Sequence, residues 1–406
     1  MGKKSGSLLG GALLITGSCV GAGMLALPIT TGLCGFIPSL FLFLLVWLFM
    51  SLTGLLLLEV NGWFQEKVNL FSMVEKVFGR KGRSLCWVLY LSLFYALLVA
   101  YISGIGTLFS TLIQSSCQIC FSPWIGSVFF VFLFGVVVCA GTRQVDLWNR
   151  VLMVGKVIAF LLLTLAGVRY VQPELLARSD PSHMVFSLSI LIVSFGFHNM
   201  VPSLTAYLGR DIKRVRQSIW LGGGIALGIY LVWEILVLGA VPLEGEQGLL
   251  AALHLNREGA QALAEVLQSP WIAFCAKLLA FFAILTSFLA QALSLVHFLA
   301  DGFKISYQKK EPLSLCALAL IPPLIFSLVY PQLFFKALNF AGGICAVALF
   351  GFLPVLMVWK GRKKHQASCG YVLSGGKPLL SFIFLFSLFV FCFQILNMLG
   401  LFSFRG

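Results

Sequence analysis

Polar residues in this chain are confined to short intervals, and between them run eleven apolar stretches long enough to cross a bilayer as helices. They span roughly residues 7–31, 36–60, 85–113, 123–140, 151–171, 184–208, 217–241, 270–300, 312–330, 333–358 and 378–402. Two of them lose the helical pattern near their middles. The first contains GSCVGAGMLALP, Gly17 to Pro28, and the sixth contains SFGFHNMVPSL, Ser194 to Leu204. A broken helix in lipid leaves N–H and C=O groups unpaired at several kcal/mol each, so a break is expected only where it lines a protein cavity. Breaks at matching positions in two halves of a chain point to a solute site near the bilayer midplane.

Four spans separate the two broken ones, so the two enter the membrane from opposite faces. The expected fold is an all-α integral membrane protein of eleven transmembrane helices. Residues 1–171 form a first five-helix repeat, 172–358 a second, inverted one, and 359–406 a cytoplasmic linker with the eleventh helix. The longest outer loop, Pro242 to Ser269, has leucines at helical spacing among four glutamates. It is expected to lie as an amphipathic helix over the outer face.

Composition agrees: of 406 residues, 60% are hydrophobic and 10% charged, which no soluble domain matches. The first span is longer than the apolar core of a signal peptide and lacks a small-residue cleavage pattern, so it is expected to be retained. The net charge of +14 would suit nucleic acid, but its placement argues for lipid instead. With the N-terminus inside, 21 of the 28 Lys and Arg fall in inner segments and four in outer ones. That asymmetry predicts a cytoplasmic N-terminus and, with an odd number of spans, an outer C-terminus. Cys117 and Cys120 are the one close cysteine pair, and without a second pair they make no zinc site. The other cysteines read as small hydrophobes. No cofactor, metal, nucleic-acid partner or obligate protein partner is expected. The bilayer and a small solute are the expected partners.

GAGMLALP (Gly21 to Pro28), SFGFHNMVPSL and AYISG (Ala100 to Gly104) together resemble the signatures of the hydroxy and aromatic amino acid permease family, its tyrosine-specific permeases in particular. The likeness continues through LLLLEV (Leu55 to Val60), VDLWNR (Val145 to Arg150) and LTSFL (Leu285 to Leu289). The resemblance implies a fold similar to the leucine-transporter superfamily, proton-coupled import of an aromatic amino acid, and a bacterial inner membrane.

An amino acid is a zwitterion, and broken helices can satisfy both its charges with backbone dipoles. Where a span restarts, free N–H groups and partial positive charge offer a carboxylate site. Gly21, Ala22 and Gly23 are the candidates, with Gly17 in the same run; the bland alternative is that these glycines only permit close helix packing. Carbonyls around Thr16, Ser18 and Phe195 are candidates for the ammonium. In the second break, Phe195, Gly196 and Phe197 would flank an aromatic ligand, although Phe is so abundant, at 38 residues, that its presence there decides little. His198, beside Asn199, could bond a phenolic hydroxyl or exchange protons, or it could cap backbone groups freed by the break. Tyr101 is a further polar contact candidate.

Lys156, in the fifth span, reads as one and a half turns from the inner surface. Burial disfavours a charged lysine, so it could load and release a proton as a cavity opens; alternatively it snorkels to the inner headgroups. In sodium-coupled relatives of the implied fold a cation bridges the first, fifth and eighth spans. The resemblance places Thr286 and Ser287 as the eighth-span hydroxyls, with Lys156 replacing that ion. No Walker A pattern occurs, no HExxH pair occurs, and the spans lack the continuous polar lining of a channel. The expected class is therefore a secondary transporter, not an enzyme.

Overall fold

The computed structural model describes residues 6–64, 69–117, 122–305, 311–365 and 371–401; Cys120 and the C-terminal Arg405 lie outside them. Among the described residues, β pairing is limited to one isolated bridge between Gly35 and Ser179. The helices are α1 (Leu8–Cys19), α2 (Gly23–Thr31), α3 (Phe36–Gly62), α4 (Leu70–Cys117), α5 (Pro123–Cys139), α6 (Thr142–Gly167), α7 (Pro173–Leu176), α8 (Met184–Ser194) and α9 (Val201–Tyr207). There follow α10 (Ile212–Ala240), α11 (Leu249–His254), α12 (Gly259–Leu267), α13 (Pro270–Phe303), α14 (Leu313–Val329), α15 (Phe334–Phe340), a π-helical stretch (Ala341–Phe352), α16 (Leu353–His365) and α17 (Gly376–Met398).

Eight helical segments among the described residues are long and apolar enough to span a bilayer, and α1 with α2, bent by 60° across the break, makes nine. The apolar helices α5 and α14 have 17 residues each. At about 25 Å they fall short of a hydrocarbon core of about 30 Å. Several helices outrun their apolar windows. α4 begins at Leu70 and consists of two helical stretches joined at a kink at Gly79 (φ 75°). α6 begins at Thr142, nine residues before the apolar stretch that announced it. The α6 extension is polar helix carrying an exposed pair, Arg150 with Asp146 at 2.7 Å, one turn apart.

α13 lies at the centre of one half, packed on α4 and α6, while α1 packs on α10 and α8 packs on α2, α3 and the π-helical stretch. The last contact requires glycine. A Cβ at Gly342 would collide with the Ser189 backbone carbonyl, and one at Gly343 would lie 2.5 Å from Ser189 Oγ.

At one end of the bundle, the chain between α7 and α8 clamps the end of α2. The Arg178 guanidinium donates to the Gly32 carbonyl, and Asp180 N–H donates to Cys34 O at 2.8 Å. The long loop corrects the expectation of one helix lying over the face. It folds into α11 and α12, and α12 is wedged against α2, α10 and α13 with Gly259 to Leu263 buried. Glu258 caps it, accepting from Ala260 N–H at 2.6 Å and Gln261 N–H at 3.1 Å. At the opposite, basic end, the buried Glu59 carboxylate accepts two hydrogen bonds from Arg362 at 2.8 Å each and one from Leu373 N–H at 2.8 Å. That fork ties α3 to α16 and to the chain leading into α17.

Candidate functional site

Both interruptions are present. α1 ends at Cys19, where Val20 N–H closes the last turn on Thr16 O at 2.8 Å, and α2 restarts at Gly23 with no side-chain cap. α8 ends at Ser194, Phe195 to Phe197 are irregular, and a 3-10 turn over His198–Met200 leads into α9. The second interruption breaks the helical hydrogen bonding without a bend large enough to split the span.

A polar node forms at the first break. Lys156, 4% exposed, donates from Nζ to Val20 O at 2.6 Å. It sits about four turns from the start of α6, which begins nine residues before its apolar stretch. With its ammonium on a buried carbonyl, it does not snorkel. From α13, Ser287 Oγ accepts the Ala22 N–H at 2.9 Å. Tyr101 in α4 lies beside Ser287. Gly21 is needed for this approach, since a Cβ there would lie 2.5 Å from Ser287 Oγ. The N–H groups of Gly21 and Gly23 meet no acceptor among the described residues. Lys156 and Ser287 thus come from two helices to one short unwound segment.

A residue that the sequence did not single out joins the two breaks. The Tyr230 hydroxyl, on α10, lies 2.7 Å from Cys19 O and 2.8 Å from Ser194 O, the terminal carbonyls of α1 and α8. It donates to one at a time. Its ring packs edge-on to Phe195 with centroids 5.0 Å apart. Ser18 adds a second link, its hydroxyl donating to Gly196 O at 3.3 Å. A lone tyrosine in an apolar helix carries no sequence signal, and this one was hidden among nine.

Other expected residues have different work. Thr16 does not offer a free group: its hydroxyl bonds Ala12 O and Gly222 O, at 3.1 and 2.9 Å, and its carbonyl caps α1. The Phe195 carbonyl already accepts Phe197 N–H at 3.1 Å. Gly17 faces Met153 of α6 at ordinary contact distance. Phe197 and His198 turn toward α3 instead of flanking the break. His198 Nε2 is 2.9 Å from Thr53 Oγ1 and its ring stacks on Phe350 at 4.6 Å, while Phe197 covers Gly54. His198 therefore locks α3 to the second break and neither caps backbone nor meets the node. Asn199 is exposed and accepts from Tyr90 OH at 2.6 Å. Thr286 turns back on its own helix, bonding Phe282 O at 2.8 Å, and leaves Ser287 as the hydroxyl that reaches α1.

Burial is asymmetric about the node. Met24 to Thr31 of α2 are all buried under α12, whereas α1 exposes Leu9, Leu13, Leu14 and Ser18. No group of three or more His, Cys, Asp or Glu that could hold a metal occurs among the described residues.

A lipid-spanning bundle with paired helix breaks and polar groups gathered on them has the architecture of a membrane solute transporter. The solved structure of MhsT in complex with L-phenylalanine shares the fold at a TM-score of 0.67 and 14% identity, over 97% of this chain and 99% of that one. The two chains thus share one fold. A tryptophan-specific transport protein of Haemophilus influenzae is 32% identical over 100% of this chain and 99% of its own length. Tyrosine-specific transport system 1 of the same organism is 33% identical over 92% of each. The tryptophan/tyrosine permease family model matches residues 4–394, and the chain belongs to that family of aromatic amino acid permeases. It is a transport protein, not an enzyme.

Proposed function

We propose that this protein imports an aromatic amino acid, tyrosine foremost, together with a proton, by alternating access around the two breaks. The observation that carries the reading is Lys156 Nζ on the Val20 carbonyl, a cationic group holding the unwound segment between two helices. Protonated, the lysine ties α6 to the break; on losing its proton it loses the charge-assisted bond and frees α1 to move. The substrate carboxylate takes the N–H groups of Gly21 and Gly23, and its ammonium the carbonyls that Tyr230 and Ser18 now bridge. The buried α2 and partly exposed α1 support a conformation closed on the α12 side and opening on the basic side. We read eleven spans, counting α5 and α14, in two inverted five-helix repeats over 1–171 and 172–358, with 359–406 as linker and extra helix. The N-terminus is cytoplasmic, the C-terminus outside, and the membrane a bacterial inner one.

Energetically, one charge moving down 100 mV supplies about 2.3 kcal/mol, roughly a 50-fold accumulation. Uptake of labelled tyrosine into proteoliposomes under an imposed proton gradient tests the reading. Uphill accumulation abolished by a protonophore is expected; uptake that only equilibrates refutes symport. The full-length match to tryptophan-specific relatives favours tryptophan as the second reading. Competition by the three aromatic amino acids separates the two.

A further inference from the structure

At the basic end of the bundle, a cavity of about 540 Å³ opens between α3, α10 and the chain entering α17. Leu52, Leu55 and Trp220 form its apolar wall, and Arg216, Tyr371 and Ser374 its polar one. The Arg216 guanidinium stacks over the Tyr371 ring at 4.7 Å. Stacking uses the face of the guanidinium and leaves its N–H donors pointing outward in the plane, the arrangement that grips a phosphate. No carboxylate among the described residues pairs with Arg216. Lys213, one turn earlier on α10, is exposed beyond the lining of the cavity. Toward the bundle centre the floor becomes lipid-like. Leu48 and Leu221 are exposed, and at Gly224 and Gly228, one and two turns beyond Trp220, nothing lies within 4 Å of where a Cβ would stand.

A polar mouth holding the Arg216 cation, an aromatic beside it and open apolar helix surface behind it match an amphiphile with an anionic head. We propose that this cavity binds the phosphate head of an anionic phospholipid from the leaflet on the basic side, with an acyl chain along the open surface of α10. Such a lipid would wedge α10 against the α17 linker, and α10 carries Tyr230 to the two breaks.

The test is a titration of the purified full-length protein in a neutral detergent with phosphatidylglycerol, reading the thermal unfolding midpoint. A saturable rise is expected with phosphatidylglycerol and none with phosphatidylcholine. Arg216→Gln should weaken half-saturation about tenfold, the loss of one charged hydrogen-bond set. Gly224→Leu occupies that open surface without touching the cation and should also weaken it; it serves if Arg216→Gln does not fold. Wild-type half-saturation in either variant, an equal rise with phosphatidylcholine, or the same rise with inorganic phosphate alone overturns the proposal.

Discussion

Replacing Lys156 by Met keeps the length and apolar bulk of the side chain and removes one group, the ammonium 2.6 Å from Val20 O. Two consequences follow, with different magnitudes. Structurally, a charge-assisted bond worth about 1.5–3 kcal/mol is lost. Its loss is offset by the fact that a charge no longer has to be held at a buried position. The protein should therefore insert normally, with an unfolding free energy within about 2 kcal/mol of wild type. Functionally, on the proposed proton symport, the drive should disappear. Accumulation should fall from as much as about 50-fold at 100 mV to equilibration, while exchange of internal for external tyrosine persists. Both are measured in the same proteoliposomes, once with a proton gradient imposed and once with unlabelled tyrosine inside. A Lys156→Met protein that still concentrates tyrosine under a proton gradient refutes the argument, because another group must then carry the coupling.

Tyr230→Phe removes only the hydroxyl that lies between Cys19 O and Ser194 O. It should cost about 1–2 kcal/mol in thermal unfolding and lower transport, and an unchanged midpoint would show the hydroxyl to be dispensable. Gly21→Ala puts a Cβ 2.5 Å from Ser287 Oγ and should displace it from Ala22 N–H, cutting uptake about tenfold at normal expression; uptake equal to wild type would deny that contact a role. Burial raises the Glu258 carboxyl from 4.5 to about 8, against the opposing pull of the Ala260 and Gln261 N–H groups. The folded protein then holds this proton where the unfolded chain releases it. Stability should fall between about pH 4.5 and 8, by up to about 1.4 kcal/mol per pH unit from this group. Unfolding midpoints against pH check this, and Glu258→Gln should flatten that slope; an unaltered slope would assign it elsewhere.

Much of the fold was legible because lipid imposes it locally. An apolar run of about 20 residues has few choices in a bilayer, and the two places where glycine and proline interrupt such runs, around Gly21 and around Gly196, are where the helices do stop. That Lys156 would need a partner was legible for the same reason, since a cation within an apolar stretch is costly alone. The helix starts were less legible. Thr142 and Leu70 lie in polar sequence, and a hydropathy window sees only the part of a helix that lipid surrounds.

The partners of each polar group became known only from the folded chain. His198 and Ser287 looked alike as polar residues on interrupted or apolar spans, yet one turns to Thr53 and Phe350 while the other takes the Ala22 N–H. Tyr230 joins Cys19 and Ser194, 211 and 36 positions away in the chain. Each successive residue on a helix points about 100° away from the last, so a side chain's direction depends on how its helix is rotated and packed. Local hydrophobicity decides that a segment is buried and where it breaks. Close packing among distant helices decides what each buried polar atom finds there.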